Sequence, residues 1–309
     1  MLARVFTVTL NTYREAVRAR ILHGLFGLAV VTLGYALVVG AYALRSHDRV
    51  VSDLGSAAIS AYSIVVAVVI TATSLYRELE LKTIYPILAR PMRRSEYIIG
   101  KFLGTWLTLL VFIVANAGVL LVAIGIQAGA AGRALWPLLL LATAVSIIAY
   151  KKPKLRTWLP IPCAALVLAL GVWLSSAQRA EMRVIVLQGA LTALEVGVVA
   201  ALTLVFAAFS SPFLTAVFSL AMVVVGRGAA TLAALPERVF GAFIKSLGEG
   251  LAALVPNLMV YVPTRAFLTG EAVAVPLWPY MGWASLQALG WIVFLLAGAV
   301  LIFERRDFL

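Results

Sequence analysis

The chain has 309 residues, of which 63% are hydrophobic and 12% charged, against about 45–50% and 25% in an ordinary soluble domain. That balance excludes a soluble enzyme. The formal charge of +12 would suit nucleic acid, but the basic residues cluster in short stretches beside long apolar runs, where membrane topology accounts for them, so no nucleic acid partner is expected.

In chain order, residues 1–20 come first. Leu2, Val5, Phe6, Thr9, Leu10, Tyr13 and Val17 share one side at helical spacing, and Arg4, Asn11, Arg14, Glu15 and Arg18 share the other. This spacing predicts an amphipathic helix lying in the membrane interface, its charged side available to a cytosolic partner. The run 21–44 is too long for a cleavable signal and is expected to stay as an anchor. Its glycines Gly24, Gly27, Gly34 and Gly40 would let another backbone approach closely.

Further apolar runs cover 59–75, 102–126, 134–150, 158–174, 184–209, 213–225 and 281–303, which with the first gives eight candidate spans. The pair within 134–174 is short and carries Pro160 and Pro162 at the start of its second member. It reads either as an extra helix pair or as a re-entrant hairpin. With eight alternating spans, residues 1–20, the tail 304–309 and the loops 76–101, 151–156 and 210–212 share one side with most of the basic residues, so that side should be the cytoplasm. Trp106, Trp136, Trp158, Trp173, Trp278 and Trp283 fall near span ends, as an aromatic belt requires.

Residues 226–280 are too long and too apolar for a simple connection. Val239, Phe240, Phe243, Ile244, Leu247, Leu251 and Leu254 recur opposite Glu237, Lys245 and Glu249, which predicts an amphipathic helix on the outer interface. Pro256, Pro263, Pro276 and Pro279 then break the chain into short pieces, a segment that either gates a pathway or caps it passively.

Several chemistries are absent from the sequence. Gly100-Lys101 lacks the upstream glycine of a phosphate-binding loop, no H-E-x-x-H occurs, and the histidines are His23 and His47 alone. Cys163, the single cysteine, lies inside an apolar run and permits no internal disulfide. No catalytic residues, no metal site and no cofactor are expected in this chain.

The stretch between the second and third runs is the most distinctive. It reads Tyr76-Arg77-Glu78-Leu79-Glu80-Leu81-Lys82-Thr83-Ile84-Tyr85-Pro86-Ile87-Leu88-Ala89-Arg90-Pro91, then Met92-Arg93-Arg94-Ser95-Glu96-Tyr97-Ile98-Ile99-Gly100-Lys101. Here the sequence resembles the permease subunits of ABC-2 type transporters, in an R-E-x-E-x-x-T-I stretch, a small-Arg/Lys-Pro turn, x-R-x-E-[FY] and G-K. Asn11 to Arg18 looks like that family's N-terminal interfacial helix. Phe209-Ser210-Ser211-Pro212 looks like its turn after a late span, and Pro256-Asn257-Leu258 like its segment before the last span. Residues 134–183 depart from the usual six-span core.

The resemblance implies an all-α polytopic membrane protein of the inner membrane, a six-span core with an added pair. It implies a homodimer forming an export pathway, docked on two copies of an ATP-binding cassette subunit that holds the ATP and Mg. Membrane lipid and an accessory protein outside the membrane are the other partners it allows. Carried over by position, the docking surface takes in Glu78, Glu80, Lys82, Thr83, Arg90, Pro91 and Arg94, with Arg14 and Arg18 nearby. Lys82 stands where many relatives have glycine.

Inside the membrane, Glu195 lies midway along its run with Gln188 and Thr192 on the same helical face, and no basic residue falls mid-run to pair with it. A carboxylate at that depth marks function by default, while a hydrogen-bonded packing role between helices stands beside it. Asn116 is expected to hydrogen-bond between helices, with a substrate contact as the alternative. Two rival functions remain open: a secondary transporter driven by an ion gradient through Glu195, and a non-transporting scaffold moved by an ATPase.

Overall fold

The computed structural model describes residues 2–43, 46–80, 93–152, 155–270 and 276–305, with no side-chain description for 76–80 and 240. It is all helical apart from short connections. Among the described residues, six helices are long and apolar enough to cross a membrane, and the molecule is a polytopic helical membrane protein.

Helix α1 (Leu2–Arg18) ends at Ala19, whose extended backbone breaks it from α2 (Arg20–Tyr42). Helix α3 (His47–Glu80) starts well before the apolar run 59–75 that announces it and continues past that run to Glu80. Helix α4 (Arg94–Gly125) passes through a π-helical turn (Ile126–Ala130) into α5 (Ala131–Lys151). Gly129 there has φ of 90°, a left-handed conformation that bends the 58-residue stretch and that glycine alone adopts without strain. Two of the runs read separately in the sequence are thus joined through this kink with no intervening loop. Helix α6 (Pro160–Leu174) is a shorter apolar helix, opened by its prolines at the position where a missing N–H costs nothing.

Helices α7 (Arg179–Ala207) and α8 (Pro212–Ala233) are joined by the Phe209-Ser210-Ser211 turn, and Pro212 starts α8. Helix α9 (Glu237–Leu254), a 3₁₀ turn (Leu258–Tyr261) and α10 (Arg265–Thr269) fill the segment before α11 (Leu277–Arg305). The apolar side chains Val239, Phe243, Ile244, Leu247, Leu251 and Leu254 of α9 are exposed, as an interfacial helix requires. Its Gly248 lies against the Leu232 carbonyl, so α9 folds back on α8.

The core is centred on α3, α4 and α7, with α11 and α8 against α7. Helices α4 and α6 run parallel with backbones in contact. A β-carbon on Gly118 would lie 2.6 Å from the Leu168 nitrogen, and one on Gly171 would lie 2.8 Å from the Gly118 carbonyl. The anchor glycines behave otherwise. Gly24, Gly27 and Gly34 have no neighbour within 4 Å, and among the four only Gly40 is close-packed, against Val51 and His47.

Helix α1 lies along the first turns of α4, where Gly100 and Gly104 leave room for Val8, Thr9 and Thr12. Its buried residues are Thr12, Tyr13, Ala16 and Val17, while Leu2 and Phe6 stay exposed, so the buried strip is rotated from the apolar side read in the sequence. Burial pushes the Tyr13 phenol up to about 12. A β-carbon on Gly104 would sit 2.6 Å from the Thr9 carbonyl. Gly104→Val is therefore expected to cost about 1–3 kcal/mol and to loosen α1, read as faster tryptic cleavage after Arg18.

Candidate functional site

Polar side chains gather at three depths along the bundle. The end at which α1 lies is here the near end.

At the near end, the residues of the x-R-x-E-[FY] and G-K pattern tie four helices together. Arg94 donates from its guanidinium to the carbonyls of Phe303 (3.0 Å) and Glu304 (2.8 Å), capping the last turn of α11. Glu96 accepts from the Arg93 backbone N–H at 3.2 Å and lies 3.8 Å from Arg4 of α1. Tyr97 stacks on Phe303 with centroids 6.0 Å apart. Lys101 is buried; its Nζ donates to Ser74 Oγ of α3 at 2.8 Å, sits 3.7 Å from the Glu15 carboxylate of α1, and lies over the Tyr97 ring. Arg14 rests over the Trp158 ring at 5.2 Å. Arg18 borders an open cleft of about 540 Å³ between α1 and α3. The charged side of α1 is thus partly engaged within the protein. Lys82, Thr83, Arg90 and Pro91 lie outside the described residues, and of Glu78 and Glu80 only the helical backbone is described.

At mid-depth, Glu195 is fully buried on α7. Its Oε1 accepts from Arg227 Nε at 2.9 Å; its Oε2 accepts from Arg227 Nη2 at 3.1 Å and from Ser60 Oγ of α3 at 3.2 Å. Arg227 also donates to Ser60 Oγ at 2.7 Å. This corrects the expectation that no base pairs with Glu195. The apolar run ends at Val225, but α8 continues to Ala233 and carries Arg227 inside the helix. Fork-on-carboxylate geometry of this kind makes a strong charge-assisted pair. The side chain of Arg227 remains 35% exposed, on the open side of α8.

The expected local partners of Glu195 do other work. Gln188 donates to the Tyr261 carbonyl at 3.0 Å, and Thr192 Oγ1 has no partner among the described residues. Asn116 does not bridge helices: its Nδ2 donates to the Phe112 carbonyl of its own helix at 2.8 Å.

Above this layer the Pro256-Asn257-Leu258 segment turns into the bundle. Asn257 accepts from the Met259 N–H at 3.0 Å, capping the 3₁₀ turn, and Val255, Leu258 and Tyr261 are buried. Gly226 makes room, since a β-carbon there would lie 2.8 Å from the Pro256 carbonyl. Burial, and then the neighbouring Glu195 carboxylate, hold the Tyr261 phenol well above the ordinary range, so it stays protonated.

At the far end, Arg265 joins Asp53 of α3 and Glu181 of α7 through ion pairs and donates to Ser52 Oγ at 2.9 Å; Ser52 in turn donates to Glu181. Burial works against the Arg265 charge, but the hydrogen bonds it donates to the Glu181 and Asp53 carboxylates outweigh it, so its pKa is raised. Removing the cation in Arg265→Ala leaves two carboxylates facing each other. A loss of about 1.5–3 kcal/mol is expected, measured as a lower unfolding temperature of the purified protein.

The sequence reading missed Arg265 and Asp53 because the pair is 212 residues apart in the chain. The serines at 52, 56, 60 and 63 did carry a signal, a hydroxyl stripe at helical spacing. Among the described residues, no group of three or more His, Cys, Asp or Glu could hold a metal ion.

In comparison with known proteins, the chain matches no family model and no curated sequence. Fold and composition define the class: a polytopic helical membrane protein, consistent with a role in transport.

Proposed function

We propose that this chain is the permease subunit of an ATP-binding cassette exporter of the ABC-2 type, working as a homodimer in the inner membrane with both termini in the cytosol. The observation that carries the reading is the near-end knot. Arg94, Glu96, Tyr97, Gly100 and Lys101 join α1, α3, α4 and α11 at the point where the stretch 76–101 leaves one spanning helix and enters the next. A push on that stretch from a nucleotide-driven partner would move four helices as a body. Helix α3 adds to this by running on as helix to Glu80, beyond the apolar run 59–75.

Two further features fit. The parallel contact of α4 with α6 favours eight crossings, with α5 returning the chain between them. The open side of Arg227 favours a protein or water neighbour over lipid, because a guanidinium at that depth is costly in hydrocarbon. A second copy meeting α3 and α8 would supply that neighbour and frame the pathway.

Arg94→Ala tests the reading. In the reconstituted complex, substrate-stimulated transport should fall at least about tenfold, the effect of losing roughly 1.4 kcal/mol of coupling, while the partner's basal ATP hydrolysis persists. A chain that purifies with no nucleotide-binding subunit, and transports unchanged after this substitution, would count against it. An ion-driven carrier would instead lose transport in Glu195→Gln and keep it on ATP depletion at a maintained gradient.

A further inference from the structure

The seam between α3 and α7 carries more polar side chains than the ion pair uses. Ser52, Ser56, Ser60 and Ser63 of α3 face Glu181, Gln188, Thr192 and Glu195 of α7, all on one helical face each. A buried serine or threonine in a helix ordinarily donates back to the carbonyl four residues earlier. Thr108, Ser175 and Thr203 do so here, at 2.8–2.9 Å. Ser56, Ser63 and Thr192 do not: their hydroxyls are buried with no hydrogen-bond partner among the described residues, and the Tyr261 hydroxyl beside Glu195 is in the same condition. Four unpartnered hydroxyls flank the one carboxylate at mid-depth, and buried groups of that kind are normally satisfied by internal water.

The stripe is bounded on both sides. Toward the far end it opens at the Arg265, Asp53 and Glu181 cluster, where Asp53 is exposed. Toward the near end, Ala67 takes the next place in the serine register, and Ala67, Val68 and Ile70 of α3 with Val199, Ala200 and Leu202 of α7 are all buried and apolar. Polar lining therefore runs from the far-end surface to Glu195 and is interrupted there by one apolar turn, before Thr71 of α3 and Thr203 of α7.

We propose that the α3–α7 seam holds a file of internal water molecules, bound by Ser56, Ser63, Thr192 and Tyr261, that hydrates the Glu195–Arg227 pair from the far side only. The inference is independent of what energy source drives the chain. The file makes the pair reachable by protons from one face of the membrane, while the apolar turn formed by Ala67, Val68, Ile70, Val199, Ala200 and Leu202 breaks it below the pair.

Hydroxyl-radical footprinting of the intact protein in lipid nanodiscs, read by mass spectrometry, tests this, because radicals form where water is held. Tyr261 and Tyr97 are both buried to the same degree. The expected result is several-fold faster labelling of Tyr261, reduced to the Tyr97 rate in Thr192→Val and in Ser56→Ala, and kept in Thr192→Ser. Equal labelling of the two tyrosines in the wild-type protein would overturn the proposal, and needs no variant to fold. Fast Tyr261 labelling that ignores Thr192→Val and Ser56→Ala would also overturn it, since the water would then arrive by another route.

Discussion

Arg227→Ala lowers the stability of the purified protein by about 3–5 kcal/mol, the usual consequence of stranding one member of a buried pair, Glu195→Ala lowers it by less, and the double variant loses less than Arg227→Ala. Glu195 is fully buried, and among the described residues its carboxylate oxygens receive Arg227 and Ser60. Taking away the guanidinium leaves a charge with one hydroxyl to answer it. Taking away the carboxylate leaves a cation that is already 35% exposed, six positions before the helix ends at Ala233, so water compensates part of its charge. Removing both leaves neither charge, and the remaining loss is that of packing. Thermal unfolding in detergent of the wild type, the two single variants and the double variant gives the coupling directly. Additive losses would show that the pair is not the organising contact of the α3, α7 and α8 junction.

Lys101→Met is expected to cost about 3 kcal/mol despite keeping the length of the side chain. The Lys101 side chain is 3% exposed, and its ammonium joins Ser74 of α3 and Glu15 of α1 from its seat on α4. Glu15 is one-third exposed, with a side-chain value of 33%, so water compensates it when the lysine goes. The damage therefore falls on the attachment of α1 to the bundle more than on Glu15 itself. Glu15→Gln should cost far less, because it leaves Lys101 its bond to Ser74. Unfolding temperature measures both losses, and the rate of tryptic cleavage after Arg18 reports the release of α1. Equal losses from the two substitutions would contradict the placement of the lysine as the shared node.

Much of the architecture was legible because lipid imposes a coarse rule: a spanning helix needs about 20 apolar residues. The same rule hid the details that matter most. Helix α8 is read as ending at Val225 because Gly226-Arg227-Gly228 lowers the hydropathy, yet the helix continues and delivers the partner of Glu195. Lys101 reads as one more basic residue of a loop, since nothing in its neighbours reveals that Glu15 and Ser74 close over it. Helices α4 and α5 were legible as two runs, but hydropathy does not show that the turn between them is made at Gly129 with no intervening loop. The α1 amphipathicity was visible, but the strip that docks is set by the gaps at Gly100 and Gly104, which belong to a partner helix 90 residues away in the chain. The far-end cluster around Arg265 is assembled from three distant segments, and no local pattern announces it.

The central claim is that the stretch joining α3 to α4 is gripped by an ATP-hydrolysing subunit. A photo-crosslinking amino acid placed at Thr83 in the full-length protein, activated in intact cells and analysed by mass spectrometry, tests it most directly. The account predicts adducts with a nucleotide-binding protein carrying a phosphate-binding loop. Adducts confined to lipid or to extracytoplasmic proteins would contradict it, because residue 83 would then face the wrong side of the membrane or no such partner at all.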